Sequence, residues 1–182
     1  CALNYVNNGQ LPENKMELYE KCCELLLDSR DNGRKISSTN YENVPKLDYS
    51  RKRKILEEIA YWMMNAGVSA ENRKNVENFI EHLLKDTNIL LESKQQYTGK
   101  DLLDFFVERS GMIREPEVGV IDFVHKTFME FLAVKAICRN YAWSVLIKEA
   151  CNENWKETII MCFSEMGEES IEFVLKGMIE KS

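Results

Sequence analysis

The stretch MIREPEVGVIDFVHKTFMEFLA, residues 112–133, decides how the chain folds. Its first half reads as two short strands: MIRE, then PEVG as turn chemistry, then VIDFVH, in which β-branched and aromatic residues dominate. A β-hairpin over 112–125 follows. The second half changes period, with Phe128, Phe131, Leu132 and Ala136 on one helical face. Thr127 and Glu130 stand in the T-x-x-E relation of a capping box at its start. One of only two histidines in the chain, His125, sits at the joint between strand and helix.

Upstream of the hairpin the pattern is helical three times over. From Arg51, Ile55, Ile59, Trp62, Met63 and Ala66 share one face and Gly67 is placed to end the helix. Ser69 suits the N-cap of a second helix carrying Val76, Phe79, Ile80, Leu83 and Leu84. A third begins near Thr98, carries Leu102, Leu103, Phe106 and Val107, and closes at Gly111. Three helices and then a two-stranded hairpin compose a winged-helix domain, although a helical bundle with an added hairpin shares that order. The fold class expected is mainly α: a winged helix (three helices plus β-hairpin) flanked by helical segments.

The flanks are also helical. Over 13–28, Met16, Tyr19, Cys23 and Leu26 recur at helical spacing, and Pro12 precedes the first turn, where its missing N–H costs nothing. The polar run 30–50 lacks a period and reads as a linker. Beyond the hairpin helix, two or three short helices finish the chain. Trp143 and Trp155 anchor the earlier pair, and Ile171, Val174, Leu175, Met178 and Ile179 stripe the last. No exact internal repeat occurs, but paired helices without strands suggest a helical stack continuing past Ser182. The chain opens on CALNYV, inside a running helical pattern and without a methionine, which suggests a piece of something longer. Three parts are expected: 1–45, 46–137 and 138–182.

Composition narrows the function. With 45% hydrophobic and 30% charged residues, the 182-residue chain is an ordinary soluble globular sequence. A formal net charge of -6 argues against a nucleic-acid coat, which needs clustered Lys and Arg. The six cysteines form no C-x-x-C pair and no zinc spacing, so they read as small buried hydrophobes in a reducing, cytoplasmic compartment, with no metal. No apolar run reaches the ~18 residues of a membrane helix, and no signal-peptide pattern opens the chain.

Catalytic motifs are absent. The Gly99-Lys100 pair is followed by Asp101 and lacks the upstream glycine of a phosphate-binding loop. This chain alone is therefore not expected to hydrolyse ATP. A cysteine nucleophile would need His82 or His125 in reach, and His82 lies between stripe residues as a surface or boundary histidine. The run Arg51, Lys52, Arg53 and Lys54 could meet phosphates, or be a solvated face neutralised by Glu57 and Glu58; four cations at a helix start oppose the macrodipole. His125 precedes a helix start, where free N–H groups and the positive dipole end favour an anion. By position alone it is either an anion contact or a packed junction residue.

A family resemblance bears on that choice. FVHKTFMEFLAVKAI, residues 123–137, resembles the segment that closes the winged helix in NACHT-type ATPases of the STAND signal-transduction class, with a pattern like F-x-H-x-T-F-x-E-[FY]-x-A. Phe123, His125, Thr127, Phe128, Glu130, Phe131 and Ala133 match; Met129 replaces the usual Gln. GQLPENKMELYEKCCELLL resembles the family's helix after the nucleotide-binding core, with Leu11, Pro12, Leu18 and Tyr19 in place. ILEEIAYWMM and LLDFFVERSGMIREPEVGVIDFVH resemble its opening winged-helix helix and its later helix and wing, and NENWKETIIMCFSEMG its first paired helix of the C-terminal (HEAT-like) region.

The resemblance implies a regulatory segment of a parent ATPase that uses ADP or ATP with Mg. In the family the winged helix folds back on the NTPase core, its histidine touching the ADP β-phosphate, a role that falls here on His125. ATP exchange, triggered through a C-terminal sensor region, releases it and the protein forms homo-oligomers; bacterial members are often implicated in antiphage defence. Two other functions stay open. One is a DNA-binding winged helix using Arg73, Lys74, Asn75 and Asn78, and the other is a stand-alone helical interaction module.

Overall fold

The computed structural model describes residues 14–29, 47–86 and 97–181. Pro12, Cys1 and most of the polar 30–50 run lie outside the described residues. The first helix, α1 (Lys15–Glu24), is capped by Asn14, whose side chain accepts from the Glu17 N–H, and widens into one π turn, Leu25–Ser29. The winged helix follows as α2 (Tyr49–Asn65), β1 (Ala70–Asn72), α3 (Arg73–Asp86), α4 (Gly99–Phe105, continued by a π turn to Ser110), β2 (Ile113–Glu117) and β3 (Val120–Phe123). Beyond it come α5 (Lys126–Arg139), α6 (Trp143–Lys148), a single 3-10 turn at Glu153–Trp155, α7 (Lys156–Glu165) and α8 (Glu168–Lys181).

The core is built on α2 and α5, which share the largest interface between elements. Ile55, Leu56, Ile59, Ala60 and Met63 of α2 are buried against Phe131, Leu132, Ala133, Val134 and Ile137 of α5. Burial of each larger side chain there stabilises the fold by about 1.5–3 kcal/mol. The two helices run antiparallel. Arg139, at the end of α5, pairs with Glu57 and Glu58 at the middle of α2, while Met64, at the end of α2, lines one pocket with Lys126 and Met129 at the start of α5. Trp62 stacks on Phe79 of α3 with ring centroids 4.6 Å apart, and Tyr19 of α1 contacts Phe128 and Phe131.

Local chemistry explains the element ends. Gly67, at φ +71, sits just past α2 in a Schellman closure: its N–H donates to Met64 O at 2.9 Å and that of Val68 to Met63 O at 3.1 Å. Thr98 and Asp101 cap α4 reciprocally. At Gly99 a side chain is excluded, because a Cβ would lie 2.1 Å from the Glu77 carbonyl oxygen; here the start of α4 abuts the backbone of α3.

The structure bears out the mainly helical winged-helix class and corrects several details. The sheet has three antiparallel strands in the order β1-β3-β2, not two. The extra strand pairs Ala70, Glu71 and Asn72 with Asp122, Ile121 and Val120, so Ser69 precedes a strand and does not cap α3. The wing's turn is shorter than PEVG: Pro116 and Glu117 belong to β2, and the register shifts between Arg114 and Glu117. Proline has no N–H to give the ladder, so the shift falls where it sits.

The capping box at Thr127 is not formed. β3 runs almost directly into α5, whose N-cap is His125, and Glu130 is buried and paired with Lys126 instead. In α8, Val174 points into the core while Leu175 and Ile179 are exposed, so the expected stripe is split between inside and outside. Trp155 is buried as an anchor. Cys23 and Cys162 are buried as expected, but Cys151 is exposed.

Candidate functional site: the strand-to-helix corner

Three local facts build the corner at His125. The Val124 N–H donates to Met112 O at 2.9 Å, which closes the base of the hairpin and fixes the strand's exit. His125 then keeps extended backbone, φ -138 and ψ 132, so its carbonyl accepts the first helical bonds, from Phe128 N at 3.0 Å and Met129 N at 3.4 Å. Its imidazole makes no capping bond and is exposed, leaning on Phe128 at a centroid distance of 6.2 Å. Phe128 is itself held edge-on by Tyr19 of α1, 5.7 Å away.

Electrostatics at the corner favour a negative charge. The first turn of α5 carries no acidic residue, and its N–H groups have no side-chain cap. Lys126 adds an exposed cation whose Nζ lies 3.4 Å from the buried Glu130 carboxylate. An exposed imidazole and an exposed lysine thus stand next to each other at the positive end of a 14-residue helix.

A family model described as a winged helix-turn-helix domain C-terminal to NACHT matches residues 15–137. The chain belongs to this family. The match takes in α1, the whole winged helix and nearly all of α5, and ends two residues before Arg139. No curated protein and no solved structure matches the chain. The matched residues are a winged-helix module of a NACHT protein and not a catalytic NTPase domain.

In this NACHT-associated winged helix the basic run is placed away from His125. Arg51 pairs with Asp48 at 3.6 Å. Lys52 is only 5% exposed; its Nζ donates to Leu27 O at 3.3 Å and lies over the Phe105 ring. Arg53 clamps Glu20 of α1 with both Nη atoms, donates from Nε to Glu57 at 2.7 Å, and reaches the Tyr49 hydroxyl at 3.2 Å. Lys54 is half-buried. The run is therefore not wholly a solvated face; of the i+4 neutralisation read from sequence the Arg53–Glu57 pair forms, while Glu58 is engaged by Arg139. Because α2 and α5 are antiparallel, the run and His125 lie at opposite ends of the pair, roughly 18 Å apart along the helix axis. They do not form one site.

Reading by sequence placed Arg73 among possible base contacts and missed its role as the hub of the wing. Its N–H donates to Gly119 O at 2.8 Å, and its guanidinium meets Glu77 at 3.1 Å, Glu115 at 2.6 Å and Asp104. It ties α3, α4 and the wing tip together and is not displayed for a ligand. The signal available in sequence was its place directly after the polar stretch 69–72, at the first position of α3. His82 is exposed and its Nδ1 contacts Asn78 O at 2.7 Å. Among the described residues no three His, Cys, Asp or Glu side chains cluster to hold a metal, and no helix is long and apolar enough to cross a membrane.

Proposed function

We propose that the segment is the regulatory latch of a NACHT signal-transduction ATPase of the STAND class, holding the ADP-bound closed state and releasing on exchange to ATP. The observation that carries this is the His125 corner: an exposed imidazole at an uncapped, acid-free helix start, beside Lys126. It suits one contact to a phosphate oxygen, with the rest of the nucleotide and its Mg held by the NTPase core of the parent. The same reading assigns a cytoplasmic protein, a C-terminal sensor region as trigger, and homo-oligomers on activation. Its proposed setting, antiphage defence, rests on the likeness of 123–137 to bacterial members.

The exposed face of α4 counts against DNA as partner. In a helix-turn-helix reader this helix enters the major groove, and here it presents Lys100 with Asp101 and Glu108 exposed and Asp104 half-buried. Of the residues that could have read bases, Arg73 is consumed in the wing hub.

The test is His125→Ala in the intact NACHT protein. A hydrogen bond to a charged phosphate contributes about 1.5–3 kcal/mol, so ADP should dissociate roughly tenfold faster or more, with raised basal activity. Because the side chain is exposed, thermal stability should not change. An ADP off-rate equal to wild type removes the latch role from His125.

A further inference from the structure

Met64 at the end of α2, Val68 just beyond it, Met129 near the start of α5 and Trp155 in the 3-10 turn line a cavity of about 170 Å³. That is room for roughly ten waters or one small organic molecule. Its walls come from both sides of the family boundary: α2 and the start of α5 lie within the matched residues, and the 3-10 turn lies beyond them.

Trp155 marks this space as more than a packing gap. Its side chain is 2% exposed, yet its indole N–H donates to no protein group. Among the described residues no sealed side-chain nitrogen or oxygen lacks a partner, so this N–H keeps an opening to solvent, and the cavity is the space that Trp155 lines. A tryptophan buried so deeply ordinarily gives its N–H to a partner. The turn behind it is already fixed. The Trp155 backbone N–H donates to Asn152 O at 2.9 Å, Asn152 Oδ1 accepts from the Asn154 N–H at 3.0 Å, and Asn152 Nδ2 donates to Glu149 Oε2 at 2.8 Å. The unspent donor is thus held in place before any ligand arrives.

The remaining lining sets the ligand's chemistry. Lys126 stands at the uncapped start of α5, the exposed Ser69 and Asn154 add a hydroxyl and an amide, and no acidic side chain lines the space. A single ammonium, shared with the Glu130 carboxylate 3.4 Å away, and no arginine suit one negative charge, not the two of a phosphate monoester. The two methionines offer an apolar wall that reshapes around what it holds. We propose that the cavity binds a small monocarboxylic acid with an apolar body, its carboxylate accepting from the Trp155 indole N–H and Lys126 Nζ and its body packing on Met64, Val68 and Met129. Once bound, such an acid joins the winged helix to the turn that leads into α7. The proposal goes beyond the latch role of His125 and does not need it, because the two sites share only Lys126.

The test is a titration of the ¹⁵N-labelled chain with hexanoate and with 3-phenylpropionate, followed by NMR. The chain has three tryptophans, and the Trp155 indole signal is the one lost in Trp155→Phe, which keeps the aromatic bulk and removes the donor. With at least one of the two acids, a saturable displacement of that signal and of the Lys126 and Met129 backbone amides is expected. The corresponding primary amide should bind roughly tenfold more weakly or worse, and Trp155→Phe, read on the backbone amides, should weaken the acid by a similar factor. Ser69→Phe, at an exposed position on the rim, should block the acid without touching the core. A Trp155 signal that neither acid moves, acid and amide binding alike, or undiminished binding to Ser69→Phe overturns the proposal.

Discussion

Glu57 shows how much of this molecule rests on single charged side chains. It is 3% exposed, yet it accepts from Arg53 Nε at 2.7 Å and from an Nη of Arg139, joining α2 to α5. Removing a carboxylate so placed leaves two guanidinium groups short of a partner in a mostly dry setting. Glu57→Ala should lower stability by roughly 3 kcal/mol, less than a fully buried pair because Arg139 stays partly solvated. Urea denaturation at neutral pH checks this; a change below about 1 kcal/mol would mean solvent replaces the carboxylate.

Residues like this were the hardest to read in advance. The run 51–54 announces charge, but not that Arg53 would find Glu20 and Lys52 would find Leu27 O, both far away in sequence. Charge is visible in a chain and its partner is not. His125 was legible because its position depends only on local patterns, a strand's alternation ending where a helix's period begins.

At the scale of elements, the close crossing of α3 and α4 depends on the missing side chain at Gly99. A methyl there would overlap the Glu77 carbonyl oxygen, and backbone cannot turn aside as a side chain can. Gly99→Ala should therefore cost about 1–3 kcal/mol through forced separation of the helices, despite alanine's better helix propensity. A variant as stable as wild type by thermal melting would show that the crossing can open without loss.

Elements with a strong period were found with nearly their observed bounds, α2 and the α4 start at Thr98 among them. β1 was not. Its three residues, Ala70, Glu71 and Asn72, have no β-branched or aromatic member, and only pairing with β3 makes them a strand. The T-x-x-E reading failed for the converse reason: the pattern was present, but the tight exit from β3 starts the helix two residues earlier.

Across the whole molecule, acid should loosen several joints together. Asp101 is held below the usual carboxylate range by the Thr98 side chain and backbone N–H, and Glu115 by the Gly119 N–H and then Arg73. Glu157 is lowered by Lys15, a contact that ties α1 to α7. Each is depressed in the folded state, so its contribution is complete above the unfolded pKa and is lost as pH falls through the folded one. Tm should be flat near neutrality and fall once the pH drops below about 4. A Tm unchanged to pH 3 would show that these contacts add nothing.

The overall arrangement was legible as an order of elements because each stands in its own stretch of chain. What order alone leaves out is which helices meet. Here α2 and α5 meet, though roughly sixty residues separate the end of one from the start of the other. A chain made from its N-terminus thus carries the apolar face of α2 open to water while β1, α3, α4 and the wing are synthesised. During that interval Ile55, Ile59 and Met63 offer a sticky surface to any neighbour. The late arrival of α5 makes this segment a natural client for chaperones on the ribosome.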